Sequence, residues 1–169
     1  MKKQWNTISL LEKVALTFNL VALIDTGALV TGLSNAQVAH ALLAVPKGLK
    51  GMLGVVYLDE NDNKMFLSRH TGETIGFSSS VVTPLQRFVF FDQVHTTGMD
   101  IAQSSSRRAA ITLGMDMHFR DYSQGAYRMR RLGKGQRLLV LYPSSVGELI
   151  KKLLRVFSAL RSTSYFGYI

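Results

Sequence analysis

The sequence contains four short and nearly continuous apolar segments, each about as long as one β-strand. They are residues 21–24, 87–91, 109–113 and 138–142. A strand that is apolar along its whole length is typical of a parallel sheet covered by helices on both faces. Parallel strands also need long crossover connections, so the stretches between these segments have to supply helices.

Apolar residues recur at helical spacing in four other stretches, two of which lie between these segments. They are residues 8–19, 34–44, 119–132 and 146–157. Ser34 is a candidate N-cap for the second of them, and Pro46 follows its end. Residues 54–58 and 64–67 flank a polar turn and predict a β-hairpin. The pattern therefore predicts a three-layer α/β domain with a mostly parallel sheet and an inserted hairpin.

The length of the chain sets the domain organisation. Its 169 residues, of which 47% are hydrophobic, suit one packed domain. We expect residues 1–20 to form an N-terminal helical arm, residues 21–158 the domain and residues 159–169 a tail.

The composition excludes several kinds of chemistry. The chain has no cysteine, which excludes disulfides, thiolate zinc sites and cysteine nucleophiles. The four histidines lie 23 or more residues apart, without the spacing of a helical zinc site, so no metal site is expected. No G-x-S-x-G elbow accompanies the serine clusters.

Charge and hydropathy indicate the kind of partner. The chain carries 20 Lys and Arg against 11 Asp and Glu, a net charge of +9, which favours polyanions. Its longest apolar run covers about 11 residues, whereas a membrane helix needs roughly 20. We therefore expect no membrane partner and a cytoplasmic or nuclear location.

The basic residues are concentrated in residues 104–137, which hold eight of the 20, seven of them Arg. Arg is the residue that best suits bidentate phosphate binding. If residues 119–132 form one helix, Gln124, Arg128 and Arg131 share a face because they are four and three residues apart. Two Arg on one face at a sheet edge could clamp a triphosphate.

A polar loop follows the apolar segment 87–91 directly. Its Thr97, Gly98 and Asp100 offer a hydroxyl, an open backbone and a carboxylate. Ligands of parallel sheets bind beyond the carboxyl ends of the strands, so this loop is a candidate for contact with a phosphate or ribose.

Taken together, these motifs resemble a known family. Thr97-Gly98-Met99-Asp100 and Gln124-x-x-x-Arg128-x-x-Arg131 look like motifs V and VI of superfamily 2 helicases, which lie in the second RecA-like domain. Residues 22–43, 91–101 and 119–130 are more closely similar to a block in very large, uncharacterised fungal, oomycete and protist proteins. Those proteins carry paired domains of unknown function, and some are labelled ubiquitin hydrolases. The resemblance covers roughly residues 21–142.

The resemblance implies a RecA-like fold and a role for each motif. It implies that Thr97, Gly98 and Asp100 touch a nucleotide or a nucleic-acid backbone. It also implies that Gln124 and the arginines form motif VI, with arginine fingers on a γ-phosphate. Arg128 would be one finger, and either Arg131 or Arg130 the second, because the related proteins often have Gly at the position of Arg131.

The chain lacks the other half of a helicase. No G-x-x-x-x-G-K-[ST] loop is present, and residues 133–136 lack the upstream Gly and the Ser or Thr that would hold magnesium. We expect no cofactor and no ATP hydrolysis for this chain alone. A functional site for ATP with magnesium is possible with an upstream RecA-like domain as partner. Single-stranded RNA or DNA is the second expected partner.

Two alternatives remain open from the residues. The first is a non-catalytic interaction module of a large scaffold or ubiquitin-pathway protein. The second is a retroviral-type aspartic protease, because Asp25-Thr26-Gly27 is also the signature of that family, whose two chains each give one Asp to a dyad. In an α/β domain, by contrast, Asp25 would cap the end of a strand or line the ligand cleft at the carboxyl ends of the strands.

Overall fold

A computed structural model describes residues 6–96 and 100–163 and has an α/β architecture. Its helices are α1 (Thr7–Leu16), α2 (Asn35–Ala44), α3 (Phe119–Ala126) and α4 (Ser144–Thr163). Its strands are β1 (Leu20–Ile24), β2 (Gly54–Leu58), β3 (Lys64–Ser68), β4 (Thr74–Gly76), β5 (Arg87–Phe91), β6 (Arg108–Thr112) and β7 (Arg137–Leu141).

The seven strands form one sheet in the order β4-β3-β2-β5-β1-β6-β7. Five neighbouring strands, from β2 to β7 in that order, are parallel. The antiparallel strands β3 and β4 extend the sheet beyond β2 through the hairpin. The prediction of an α/β domain with a mostly parallel sheet and an inserted hairpin is therefore confirmed.

The core lies around the middle of the sheet. Every residue of β1, β2 and β5 is buried, as expected for strands with both faces covered. Helix α1 contributes Leu10, Leu11, Val14 and Ala15 to the same core. The residues expected to form a separate N-terminal arm thus pack into the domain. At the other end, residues 159–163 of the expected tail continue α4, and residues 164–169 lie outside the described part.

Helix α3 is shorter than predicted, and this difference matters for the site. The helix ends at Ala126, so the prediction of one helix through residue 132 is wrong. The N–H groups of Arg128 and Met129 donate to carbonyls only three residues back, at 3.0 and 2.9 Å, so the helical ladder gives way to turns. The side chain of Gln136 holds these turns, because its Oε1 accepts from the Arg131 N–H at 2.7 Å and its Nε2 donates to the Ser104 carbonyl at 2.7 Å.

None of the helices among the described residues is both long enough and apolar enough to cross a bilayer.

Candidate functional site

A cleft opens where the connections of two neighbouring strands diverge. Across the strand order, the chain runs from β1 to β2 in one direction and from β6 to β7 in the opposite direction. Such a switch point is where open parallel sheets bind their ligands. The space there has a volume of about 400 Å³ and is named the carboxyl-edge cleft below. Its polar lining includes Thr26, Gly27, Gln93, Asp116, Asp121 and Gln124.

Asp25 lies directly after β1, next in the chain to Thr26 and Gly27 of the cleft lining. Its Oδ1 accepts hydrogen bonds from the Leu29 N–H at 2.9 Å and from the Thr112 hydroxyl at 2.6 Å. Its Oδ2 accepts from the Val30 N–H at 2.9 Å. The residue is only 2% exposed. The carboxylate therefore holds the loop after β1 against the end of β6.

The two loops that flank the cleft touch each other through glycines. The Thr26 hydroxyl donates to the Thr112 carbonyl at 2.6 Å, and the Gly27 N–H donates to the Thr112 hydroxyl at 2.9 Å. A Cβ on Gly27 would lie 2.5 Å from the backbone nitrogen of Gly114, closer than real contacts allow. Only glycine fits there, and the close approach fixes one wall of the cleft.

This environment bears on the aspartic-protease alternative. A protease dyad needs carboxylate oxygens that face the substrate and a second Asp. Both oxygens of Asp25 are instead occupied by neighbours within its own domain, and the side chain is buried. The geometry therefore agrees with the other interpretation of Asp25, as a residue that caps the end of a strand beneath the cleft.

The structure separates the residues predicted to form motif VI. Gln124 lies in the last turns of α3 and lines the carboxyl-edge cleft. Arg128 is half-buried in the turns after the helix, and Arg131 is exposed. Because the helix ends before Arg128, the prediction that Gln124, Arg128 and Arg131 share one helical face is wrong. Thr97 and Gly98 of the predicted motif V loop lie outside the described residues.

Part of the predicted site does come together around Asp100. The Arg130 Nη2 lies 3.6 Å from the Asp100 Oδ2. Burial and the neighbouring charge of Arg130 lower the pKa of Arg128, while the charge of Asp100 raises it. Arg130 therefore lies beside Asp100, and Arg128 is near enough to both for their charges to shift its pKa.

His95, in the loop after β5, contacts Asp92 and also Asp62 in the turn between β2 and β3, and these contacts are called the His95 clamp below. The Nδ1 of His95 lies 2.5 Å from the Asp92 Oδ1, and its Nε2 lies 2.6 Å from the Asp62 Oδ1. Burial lowers the pKa of His95, but hydrogen bonds and charges from Asp62 and Asp92 outweigh it and raise the pKa above its ordinary value. Sequence analysis missed this clamp because 33 residues separate Asp62 from His95.

The carboxyl edge as a whole is acidic. Eight of the 11 acidic residues follow the carboxyl ends of β1, β2, β5 and β6 or lie in the first turn of α3. They are Asp25, Asp59, Glu60, Asp62, Asp92, Asp100, Asp116 and Asp121. Within the described residues, no three acidic or histidine side chains are grouped so that they could hold a metal ion. Sequence analysis found the basic residues of this region but not the acidic edge beside them.

Three comparisons with known proteins gave no match to this chain. No family model, no curated protein and no solved structure matches it. The function of the site therefore has to be argued from its own geometry: a polar cleft at a switch point, and an arginine pair beside Asp100.

Proposed function

We propose that this chain is a helicase-like second RecA-type domain, which contributes Arg128 and Arg130 to a phosphate site completed by another domain. The observation that carries the proposal is the ion pair between Arg130 and Asp100, which belongs to the predicted motif V loop, with Arg128 near enough for both charges to shift its pKa. An arginine pair with a single carboxylate keeps an excess of positive charge that suits a phosphate.

The position of the pair in the fold supports this proposal. Asp100 follows β5, and the arginines follow α3 between β6 and β7, so segments from different parts of a parallel sheet meet. Partial burial of Arg128 strengthens its attraction for an anion, because fewer waters compete for the guanidinium. ATP with magnesium would bind between this domain and an upstream RecA-like domain that supplies the missing phosphate loop.

The test is a titration of the chain with ATP and magnesium, followed by backbone NMR shifts. We expect weak binding with the largest shifts around Asp100, Arg128 and Arg130, and no hydrolysis by the chain alone. The double substitution Arg128→Gln and Arg130→Gln should weaken binding at least about tenfold, because it removes two charge-assisted contacts.

Arg120→Gln is the matched control, because Arg120 is an exposed arginine of the same region whose nearest carboxylate is Asp121 at 3.8 Å. It should leave the binding of ATP unchanged. Equal losses for the control and the double variant would show only a general charge effect and would contradict the proposal. So would unchanged binding in the double variant.

A second candidate is an interaction module without chemistry of its own. The observation that favours it is the exposed apolar side of α4, where Leu149, Leu153 and Leu154 are 40%, 48% and 60% exposed. Large apolar side chains that cluster on a surface often mark contact with another protein. Absence of any ATP binding by the chain, with the fold intact, would favour this candidate over the first.

A further inference from the structure

The opposite edge of the sheet has a different charge from the carboxyl edge. The segments that lead into β1, β2, β6 and β7 contain no acidic residue; they are residues 17–19, 45–53, 102–107 and 127–136. A small pocket of about 150 Å³ lies at this edge, named the amino-edge pocket below. Its lining includes Phe18, Asn19, Lys47, Leu49, Lys50 and Arg107.

Backbone and side-chain contacts hold the arginines of this edge in place. Arg107 donates to the side-chain oxygen of Asn19, and Arg108 donates to the carbonyl of Phe18. Arg137 pairs with Arg108 in the register between β6 and β7, and its N–H donates to the Arg107 carbonyl at 3.2 Å. Adjacent strands lie about 4.8 Å apart, so Arg108 and Arg137 lie side by side in one row, next in the chain to Arg107 of the pocket lining.

The cations of this row have no acidic neighbours. In the part of the chain that the structure describes, none of the ion pairs involves Lys47, Lys50, Arg107, Arg108 or Arg137. Like charges gathered at one edge repel one another and raise the local potential. A bound anion would relieve this repulsion.

The backbone around the amino-edge pocket is strained. Asn19, Lys47 and Leu49 all line it, and all have left-handed conformations, with φ of 67°, 60° and 45°. For a bulky residue such as Leu this conformation is unusual. Strained residues that cluster around one pocket are typical of binding sites rather than of plain connections.

We propose that the amino-edge pocket binds one phosphate group of a phosphate chain, with Lys47, Lys50 and Arg107 around that group and Arg108 and Arg137 along its neighbours. The pocket is too small for a nucleoside, since sites for larger ligands span roughly 300 Å³ or more, but it has room for a phosphate. The same chemistry is carried by a single-stranded nucleic-acid backbone or by free polyphosphate. The proposal is independent of the function proposed for Arg128 and Arg130.

The test is fluorescence anisotropy with a labelled single-stranded RNA of about 20 nucleotides, at about 50 and about 200 mM salt. We expect binding that weakens steeply with salt, because released counterions drive it. Lys50→Gln and Arg107→Gln should each weaken binding about tenfold at the lower salt concentration. Lys50 makes the safer variant, because its side chain is exposed and its loss leaves the Arg107–Asn19 contact intact.

Arg120→Gln serves as the control at the acidic carboxyl edge, and it should leave RNA binding nearly unchanged. The double variant Arg128→Gln and Arg130→Gln distinguishes the two proposals. If this double variant loses RNA binding and Lys50→Gln leaves RNA binding unchanged, the amino-edge site is overturned. Absence of RNA binding by the unmodified chain at either salt concentration would also overturn the amino-edge site, with one exception. If inorganic tripolyphosphate binds and Lys50→Gln weakens that binding, the site is a polyphosphate site. If tripolyphosphate displaces the RNA at low concentration, the site is assigned to free polyphosphate. If displacement of the RNA needs a large excess of tripolyphosphate, the site is assigned to nucleic acid.

Discussion

The two edges of the sheet are built from opposite charges. The carboxyl edge holds eight of the 11 acidic residues and a polar cleft of about 400 Å³. At the amino edge, the segments that lead into four of the parallel strands hold no acidic residue and surround a pocket of about 150 Å³. The net charge of +9 is therefore distributed unevenly between the two edges.

The two edges also differ in how they use their charged groups. At the carboxyl edge, Asp25 and the His95 clamp are bonded within the domain and shape its loops. At the amino edge, Lys47 and Lys50 are exposed and make no ion pair within the described residues. Charged groups that are bonded within the domain stabilise the fold, whereas exposed lysines without an ion pair are available for a ligand. Substitutions at the two edges should accordingly affect different properties.

The largest expected effect is on stability, from Asp25→Ala. The substitution leaves the half-buried N–H groups of Leu29 and Val30 and the buried Thr112 hydroxyl without their acceptor. We expect a loss of about 3 kcal/mol in the free energy of unfolding, measured by urea denaturation. Asp116→Ala, an exposed carboxylate of the same cleft, should change it by less than about 0.5 kcal/mol. A loss below about 1 kcal/mol for Asp25→Ala would show that the edge does not depend on this network.

Six of the seven strands could be predicted from the sequence because each is a local run rich in apolar residues, whereas β4, with three exposed residues, was not predicted. Residues 21–24 and 87–91 are apolar enough to be strands buried on both faces, and in the structure they are. The N-cap of α2 was equally local, since Ser34 directly precedes the helix and its side chain accepts a hydrogen bond from the Gln37 N–H. Local patterns such as these need no knowledge of the rest of the chain.

The sites could be predicted only in part, because they depend on contacts between distant residues. The turns after α3 are held by Gln136, whose side chain reaches Ser104, 32 residues away, and helical periodicity carries no sign of that bond. The basic residues of 104–137 were found as one group, yet the structure divides them between Asp100 and the amino edge. A count of charges along the chain cannot show this division.

A smaller effect on stability, dependent on pH, is expected from His95→Gln. The pKa of His95 is raised in the folded protein, so protonated His95 stabilises the fold below its unfolded pKa of about 6.5. This contribution is lost as the pH rises through the folded pKa. The variant should therefore be less stable than the unmodified protein by about 1 kcal/mol near pH 5.5, and the difference should shrink by pH 9.

Denaturation curves at the two pH values measure this difference. His70→Gln is the matched control, because His70 is exposed and lies on the far side of the hairpin. Its effect should be small at both pH values. A loss for His95→Gln that is the same at pH 5.5 and pH 9 would show that the clamp acts without its charge.

The smallest expected effect has the opposite sign and concerns Lys47→Gly at the amino edge. Residues 45–48 form a tight turn in which the Gly48 N–H donates to the Val45 carbonyl at 2.9 Å, with Pro46 and Lys47 at its centre. Lys47 has φ of 60° at a position that favours glycine. Relief of this strain outweighs the extra freedom of the unfolded chain, so we expect a gain of about 0.5 kcal/mol in the free energy of unfolding.

Lys50→Gly is the matched control, because Lys50 lines the same pocket without a left-handed backbone and should lose stability when replaced by glycine. Both variants remove one cation from the amino-edge pocket, so both should weaken RNA binding while their stabilities change in opposite directions. That combination would separate the ligand-binding role of the charges from the strain of the turn. If RNA binding instead follows stability, with Lys47→Gly binding more tightly than the unmodified protein, the amino edge is a structural feature and not a phosphate site.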